Sequence, residues 1–227
     1  DEMVLRGPDD FGTYINNNLG MGMRRLSIID VNKGHQPMFS NDGKIIIVFN
    51  GEIYNYLELK SNLIKKGHTF STSSDTEVLI KMYEEYGERF IEKINGMFSI
   101  SLFDKNINLL LIIRDRLGIK PLFYHYNKKS LYFSSSLKSI KKVLSNININ
   151  KKNFLLYLTA NYVPNSESIF SNINKLKPGE YIRIQNNRIQ FIKYWNLPNG
   201  NKFIKDDEFE LNLKNLILNS IKIQSRS

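Results

Sequence analysis

The strongest hydrophobic signal in the chain is the run Ile45-Ile46-Ile47-Val48-Phe49, which stops abruptly at Asn50-Gly51-Glu52. A short continuous apolar run of this kind reads as a buried strand. Beyond it, Tyr56, Leu59, Leu63 and Ile64 recur on one helical face, and Gly67 closes the pattern. A second helical period (Val78, Leu79, Met82, Tyr83, Tyr86) follows Ser74-Asp75-Thr76-Glu77 and precedes Gly87. Ser74 and Glu77 have capping-box spacing, in which the hydroxyl satisfies an early helix N–H and the carboxylate reaches back to the N–H of the cap.

The period then shortens from helical to alternating. Phe98, Ile100 and Leu102 alternate with Ser99, Ser101 and Phe103, and Asp104-Lys105-Asn106 turns the chain into an apolar run over 109–113. That pattern predicts an antiparallel hairpin. Residues 114–122, Arg-Asp-Arg-Leu-Gly-Ile-Lys-Pro-Leu, lead into a second hairpin, 122–126 with 130–134. A third joins 181–184 to 189–194 through Asn186-Asn187, and short helices are expected over 138–144 and 152–158. Near the start, Arg6-Gly7-Pro8-Asp9-Asp10 is a turn-forming cluster, residues 21–25 and 26–31 read as extended around Arg24-Arg25, and Gly34-His35-Gln36-Pro37 as a turn. Residues 196–201, with Pro198 and Gly200, read as a linker before an amphipathic helix carrying Phe209, Leu213, Leu216, Ile217 and Ile221. The apolar stripe of that helix needs a partner, and the chain is expected to be a fragment of a longer protein.

Composition narrows the function classes. With 227 residues and 41% hydrophobic content the chain can bury a core. It has no cysteine, which removes disulfides, thiolate metal sites and thiol nucleophiles from these residues. No apolar run is long enough to span a bilayer and no signal peptide opens the chain, so the expected setting is cytoplasmic. The formal charge of +10 invites nucleic acid, but the lysines are scattered in pairs such as Lys65-Lys66, Lys128-Lys129 and Lys151-Lys152. No aromatic-basic repeat accompanies them, so they read as a solvated basic surface. His35, His68 and His125 have neither triad nor metal spacing.

The candidate chemistry sits at the end of the first apolar run. Asn50-Gly51 has an ordinary reading as a tight hairpin turn, but a helical pattern follows rather than a second strand. An amide side chain and a free backbone N–H beside a carboxylate, Glu52, can stabilise an oxyanion. Asp75 has two readings: a carboxylate favoured at a helix N-terminus by the macrodipole alone, or a ligand-binding group.

In order along the chain come Arg6-Gly7-Pro8-Asp9-Asp10, Arg24-Arg25-Leu26-Ser27-Ile28-Ile29-Asp30, Gly34-His35-Gln36-Pro37, Asn50-Gly51-Glu52-Ile53-Tyr54-Asn55, Ser74-Asp75-Thr76-Glu77 and the 114–122 segment. Together they resemble the glutaminase half of glutamine-hydrolysing asparagine synthetases, the class II glutamine amidotransferases. The resemblance continues through Tyr162-Val163-Pro164, Lys177-Pro178-Gly179-Glu180-Tyr181 and Tyr194-Trp195. It implies an α+β, N-terminal-nucleophile αββα sandwich of two antiparallel sheets between helices, truncated at its start. Residues 1–195 would form the amidotransferase domain without its first strand, 196–205 a linker, and 206–227 the first helix of a truncated synthetase domain.

The resemblance further implies a cysteine nucleophile whose own α-amino group takes up the thiol proton, attack on glutamine, and release of ammonia. Ammonia would pass to a synthetase domain that amidates aspartate with MgATP; no cofactor is implied for the residues in hand. Asn50 and Gly51 would form the oxyanion hole. Arg25 would clamp the substrate α-carboxylate, Glu52 and Asp75 the α-ammonium, and Leu26, Ser27, Ile28 and Ile29 would line the pocket. Residues 114–122 would be architecture. The implied partners are glutamine and the carboxy-terminal synthetase domain of the same chain, with no nucleic acid or membrane and a homodimer left open.

The departures are the absent cysteine, Leu5 and Met23 where histidines are usual, Ser136 where glutamate is usual, and the absent Ser-Gly-Gly nucleotide loop. Two other readings compete: a scaffold half like that of β-lactam synthetase, which has lost the nucleophile, and a basic binding module. Retention of Arg25, Asn50, Gly51, Glu52 and Asp75 together favours the glutaminase, and the basic module lacks a contiguous positive face.

Overall fold

Ile45–Ile53 forms a single nine-residue strand covered on both faces. The computed structural model that shows this describes residues 2–26, 34–164, 166–198, 200 and 206–225. In chain order the elements are β1 (Asp10–Asn16), β2 (Leu19–Arg25), β3 (Met38–Phe39), β4 (Ile45–Ile53), α1 (Tyr56–Lys65), α2 (Asp75–Tyr86), α3 (Phe90–Lys93), β5 (Gly96–Asp104) and β6 (Leu109–Arg114). They continue with β7 (Phe123–Tyr126), β8 (Leu131–Ser134), α4 (Leu137–Val143), α5 (Lys151–Ala160), β9 (Asn174–Lys175), β10 (Glu180–Gln185), β11 (Arg188–Lys193) and α6 (Asp206–Gln224).

Among the described residues three antiparallel sheets result, in the orders β11-β10-β6-β5-β4-β3, β1-β2 and β8-β7-β9. Side chains alternate along β4. Ile45, Ile47, Phe49 and Ile53 pack with Leu63 of α1, Val78, Leu79 and Met82 of α2, and Phe90 of α3. Ile46 faces the other way, joining Phe103, Leu110, Ile112 and Ile182 against Met21 of β2, Leu122 and Leu176, with Tyr124, Leu131 and Phe133 at the margin. The two small sheets therefore share one face of the six-stranded sheet, with helices on the other, while α4 packs on β7 and β8. This is the α+β sandwich of antiparallel sheets that the resemblance implied, with its second β layer in two pieces among the described residues.

Two local expectations change. The strand expected to stop at Phe49 runs on through Ile53, because Asn50–Ile53 pairs with Gly96–Ser99 of β5. Gly51 makes this approach possible: a Cβ there would strike the Met97 carbonyl oxygen. The capping box is half formed. Ser74 accepts from the Thr76 N–H at 3.1 Å as expected, but Glu77 takes four hydrogen bonds from the N–H and hydroxyl groups of Ser71 and Thr72. Its carboxylate thus anchors the loop before α2, and the Ser74 N–H goes to Thr72 Oγ1.

The 114–122 segment is a closed hydrogen-bonded unit. Arg114 donates through Nε, Nη1 and Nη2 to the carbonyls of Lys120, Leu176 and Gly118. Asp115, fully buried, accepts from the N–H groups of Leu117, Ile119, Lys120 and Phe98. Burial of Arg114 lowers its pKa, opposed by the nearby Asp115 charge. The helix α6 exposes Leu213, Leu216 and Ile217, and no helix among the described residues is long and apolar enough to cross a membrane.

Candidate active site

The site grows from the edge of β4 that β3 leaves uncovered. β3 pairs only with Ile46 and Ile47, so the following residues of β4 have β5 on one side and, among the described residues, no strand on the other. In an antiparallel ladder, each residue directs both backbone polar groups to the same side, and the side alternates from residue to residue. The Phe49 N–H goes to Gln36 Oε1 at 2.6 Å and the Ile53 N–H to Asp75 Oδ2 at 3.2 Å, so both point away from β5.

Gly51 lies midway between them in an unbroken register, so its N–H faces the same open edge. Its partner across the ladder agrees: the N–H and C=O of Phe98 are both taken by Asp115, which leaves Gly51–Phe98 a non-hydrogen-bonded pair. Among the described residues the Gly51 N–H has no acceptor. Asn50 and Glu52, of opposite parity, direct their side chains to the face shared with Ile46 and Val48, toward the second β layer.

A cavity of about 260 Å³ opens at this point, lined by Arg25, Leu26, Asn50, Gly51, Glu52 and Asp75 among others. Arg25 arrives as the last residue of β2 and is buried. It is held there because residues 6–9 fold back over it. The Asp9 N–H donates to the Arg25 carbonyl at 3.1 Å, and Gly7 lies so close to the backbone of Arg24 and Arg25 that a Cβ would clash. Asp75 arrives as the first residue of α2 and is 4% exposed. Burial pushes its carboxyl up to about 6. The N–H groups of Ile53 and Thr76 pull it down and the Glu52 charge pushes it up further, yet burial dominates.

Six of the nine residues singled out in the sequence thus line one cavity; Ser27, Ile28 and Ile29 lie outside the described residues. The arrangement brings a guanidinium, two carboxylates, a backbone donor and a carboxamide to the lining of one cavity. Such a site is complementary to an α-amino acid whose side chain carries a carbonyl. The histidines stand apart: His35 pairs with Asp10, His68 with Glu85, and His125 with the Asn172 carbonyl. Among the described residues no group of three or more His, Cys, Asp or Glu side chains could hold a metal ion.

Gln36 was missed as a site residue. It also lines the cavity, but Gly34-His35-Gln36-Pro37 read as a turn and carried no mark of a buried amide. The signal appears only once the strand register is known. Extending the Met38–Ile47 register by two residues sets Gln36 opposite Phe49.

Comparison with known proteins supplies independent findings. A family model described as a glutamine amidotransferase domain matches residues 1–195. Asparagine synthetase [glutamine-hydrolyzing] 1 of Bacillus subtilis is 37% identical over 226 residues, covering 99% of this chain and 36% of that protein. Asparagine synthetase [glutamine-hydrolyzing] 2 of the same organism is 41% identical, covering 87% of this chain and 27% of that protein. The chain therefore spans about a third of the length of these curated relatives. Among solved structures, the glutamine phosphoribosylpyrophosphate amidotransferase from B. subtilis, complexed with ADP and GMP, is similar in fold. Its TM-score is 0.54 at 18% identity, over 78% of this chain and 35% of that one.

Proposed function

Because the chain belongs to the glutamine amidotransferase domain family, we propose that its cavity binds glutamine and serves the hydrolysis of the side-chain amide. The observation that carries this reading is the Gly51 N–H, without an acceptor among the described residues and bordered in one cavity by Arg25, Asn50, Glu52 and Asp75. Arg25 suits the substrate α-carboxylate, for which a planar fork offers two parallel donors. Glu52 and Asp75 suit the α-ammonium. Clamped at that end, the substrate extends its amide toward Asn50 and Gly51.

The attacking thiolate comes from a cysteine outside these 227 residues, which hold none. As the C–S bond forms, the carbonyl π electrons move onto oxygen, and the Asn50 carboxamide and Gly51 N–H donate to that oxyanion. Its collapse breaks the C–N bond, and the thiol proton leaves with nitrogen as ammonia. Water then cleaves the thioester to glutamate and restores the thiol. In the longer protein, ammonia serves ATP-dependent amidation of aspartate in a synthetase domain, in a cytoplasmic setting. The described residues present no metal-binding cluster and the sequence no glycine-rich nucleotide loop. MgATP is assigned to that other domain.

The test is ammonia release from glutamine by the intact protein and by its Asn50→Ala variant. Losing one oxyanion donor lowers kcat by about 10²–10³, with melting temperature unchanged. Near wild-type turnover in the variant removes Asn50 from the oxyanion hole.

A further inference from the structure

We infer that Gln36 is a positioning residue for the Asn50-Gly51-Glu52 segment, tying β4 to the start of α2 through the Phe49 N–H. The inference rests on the glutaminase reading above. Gln36 is 5% exposed, and its carboxamide is spent at both ends on other elements. Oε1 accepts from the Phe49 N–H at 2.6 Å, and Nε2 donates to the buried Thr76 hydroxyl over a longer 3.4 Å. Four residues further along the same strand edge, Asp75 Oδ2 accepts from the Ile53 N–H. Phe49 and Ile53 are thus each held by a side chain, and both ties run to the first turn of α2, at Thr76 and Asp75.

Between these ties lie Asn50, Gly51 and Glu52, on an edge that no strand among the described residues holds. β3 stops at Met38 opposite Ile47, so the position opposite Phe49 that would continue the ladder is filled by a side-chain amide. A backbone ladder would have occupied the Gly51 N–H as well. A side-chain tie at Phe49 alone supports the strand and leaves the next donor on that edge available. Both hydrogen bonds of the Gln36 carboxamide go to Phe49 and Thr76, and neither goes to a group assigned to the amino-acid head. Arg25 is carried by β2, and Asp75 keeps its own bond to Ile53.

The expected signature is therefore a loss in kcat with little change in KM. Gln36→Met keeps the length of the side chain and removes both hydrogen bonds. In the intact protein it should lower kcat for ammonia release about 10- to 100-fold, as misplacement of a reacting group does, with KM for glutamine within about threefold. The Phe49 amide should lose protection from hydrogen exchange and the Gly51 amide resonance should move. A purely structural Gln36 would lower melting temperature and folded yield while the folded fraction kept its kcat, and that result overturns the inference. A KM that rises in step with the loss of kcat/KM overturns it too. Should Gln36→Met not fold, Gln36→Asn decides, since its shorter amide withdraws the acceptor from Phe49. A severalfold loss of kcat supports the inference; a value within twofold of wild type overturns it. A wild-type protein that releases no ammonia from glutamine overturns the glutaminase reading, and this inference with it.

Discussion

Asp75 and Asp115 are both buried aspartates, 4% and 0% exposed, and each belongs to a motif visible in the sequence, yet they are hydrogen-bonded very differently. Asp115 accepts four backbone N–H bonds, two on each oxygen. Its neighbour Arg114 spends three nitrogens on carbonyls. Asp75 accepts from the Ile53 N–H, faces the charge of Glu52, and is left with its carboxyl pushed up to about 6. A burial cost that is met by local donors makes an ion part of the architecture. One that is only partly met leaves a group for which an arriving cation would improve matters. The 114–121 loop is the first kind of region, and the cavity at the edge of β4 is the second.

The comparison breaks most directly at Asp115. Replacing it by Ala would strip four backbone donors of their acceptor, at about 1–3 kcal/mol for each one left buried and unsatisfied. A total above about 4 kcal/mol approaches the whole stability of a domain. Asp115→Ala is expected to leave little folded protein, measured by soluble yield and urea midpoint. A melting temperature close to wild type would show that the loop is held by something other than this carboxylate.

Elements whose inward positions are apolar were legible in the sequence. The β4 run, the alternation through Phe98 and Leu102, and the face of α2 all follow from periodicity alone. β1 was not, because its inward positions are Asp10, Gly12, Tyr14 and Asn16, which carry almost no hydrophobic signal. The extension of β4 to Ile53 depends on two glycines that let the strands come close, Gly51 against the Met97 carbonyl and Gly96 against that of Glu52, and no local propensity announces it. At the site, residue types pointed to the chemistry, but their convergence came from three elements far apart in sequence: the end of β2, the edge of β4 and the start of α2. The direction of the Gly51 N–H follows from ladder parity, and the tie from Gln36 to Phe49 from register. Neither exists before the strands pair.

A sharper probe sits on the cationic side of the cavity. Arg25→Lys keeps the positive charge and loses the planar pair of donors. If Arg25 grips a carboxylate through two parallel hydrogen bonds, losing one charge-assisted bond costs about 1.5–3 kcal/mol. The glutamine KM should then rise by about 10- to 100-fold, with kcat and melting temperature changing far less. Steady-state ammonia release read beside thermal unfolding separates the outcomes. If stability falls and KM does not move, Arg25 belongs with Arg114 as a builder of the fold.

The smallest expected effect tests the contrast between the two aspartates most closely. A carboxyl whose folded pKa lies above its unfolded value retains its proton in the folded state after the unfolded chain has lost it. Stability is therefore lost as pH rises from 3.8 to about 6, and the deficit stays constant above that window. The displacement corresponds to about 3 kcal/mol. Asp75→Asn removes the charge while its amide oxygen can still accept from the Ile53 N–H. With one of two acceptor oxygens gone, it should recover about 1–2 kcal/mol at pH 7 and almost nothing at pH 4, read from urea midpoints at the two values. The same variant should bind glutamine severalfold more weakly, since the α-ammonium loses a counter-charge. Wild-type KM should rise as pH falls through about 6, where Asp75 takes up its proton. A variant less stable than wild type at pH 7 would mean that the Asp75 charge is already compensated within the fold, and the two aspartates would then differ only in position.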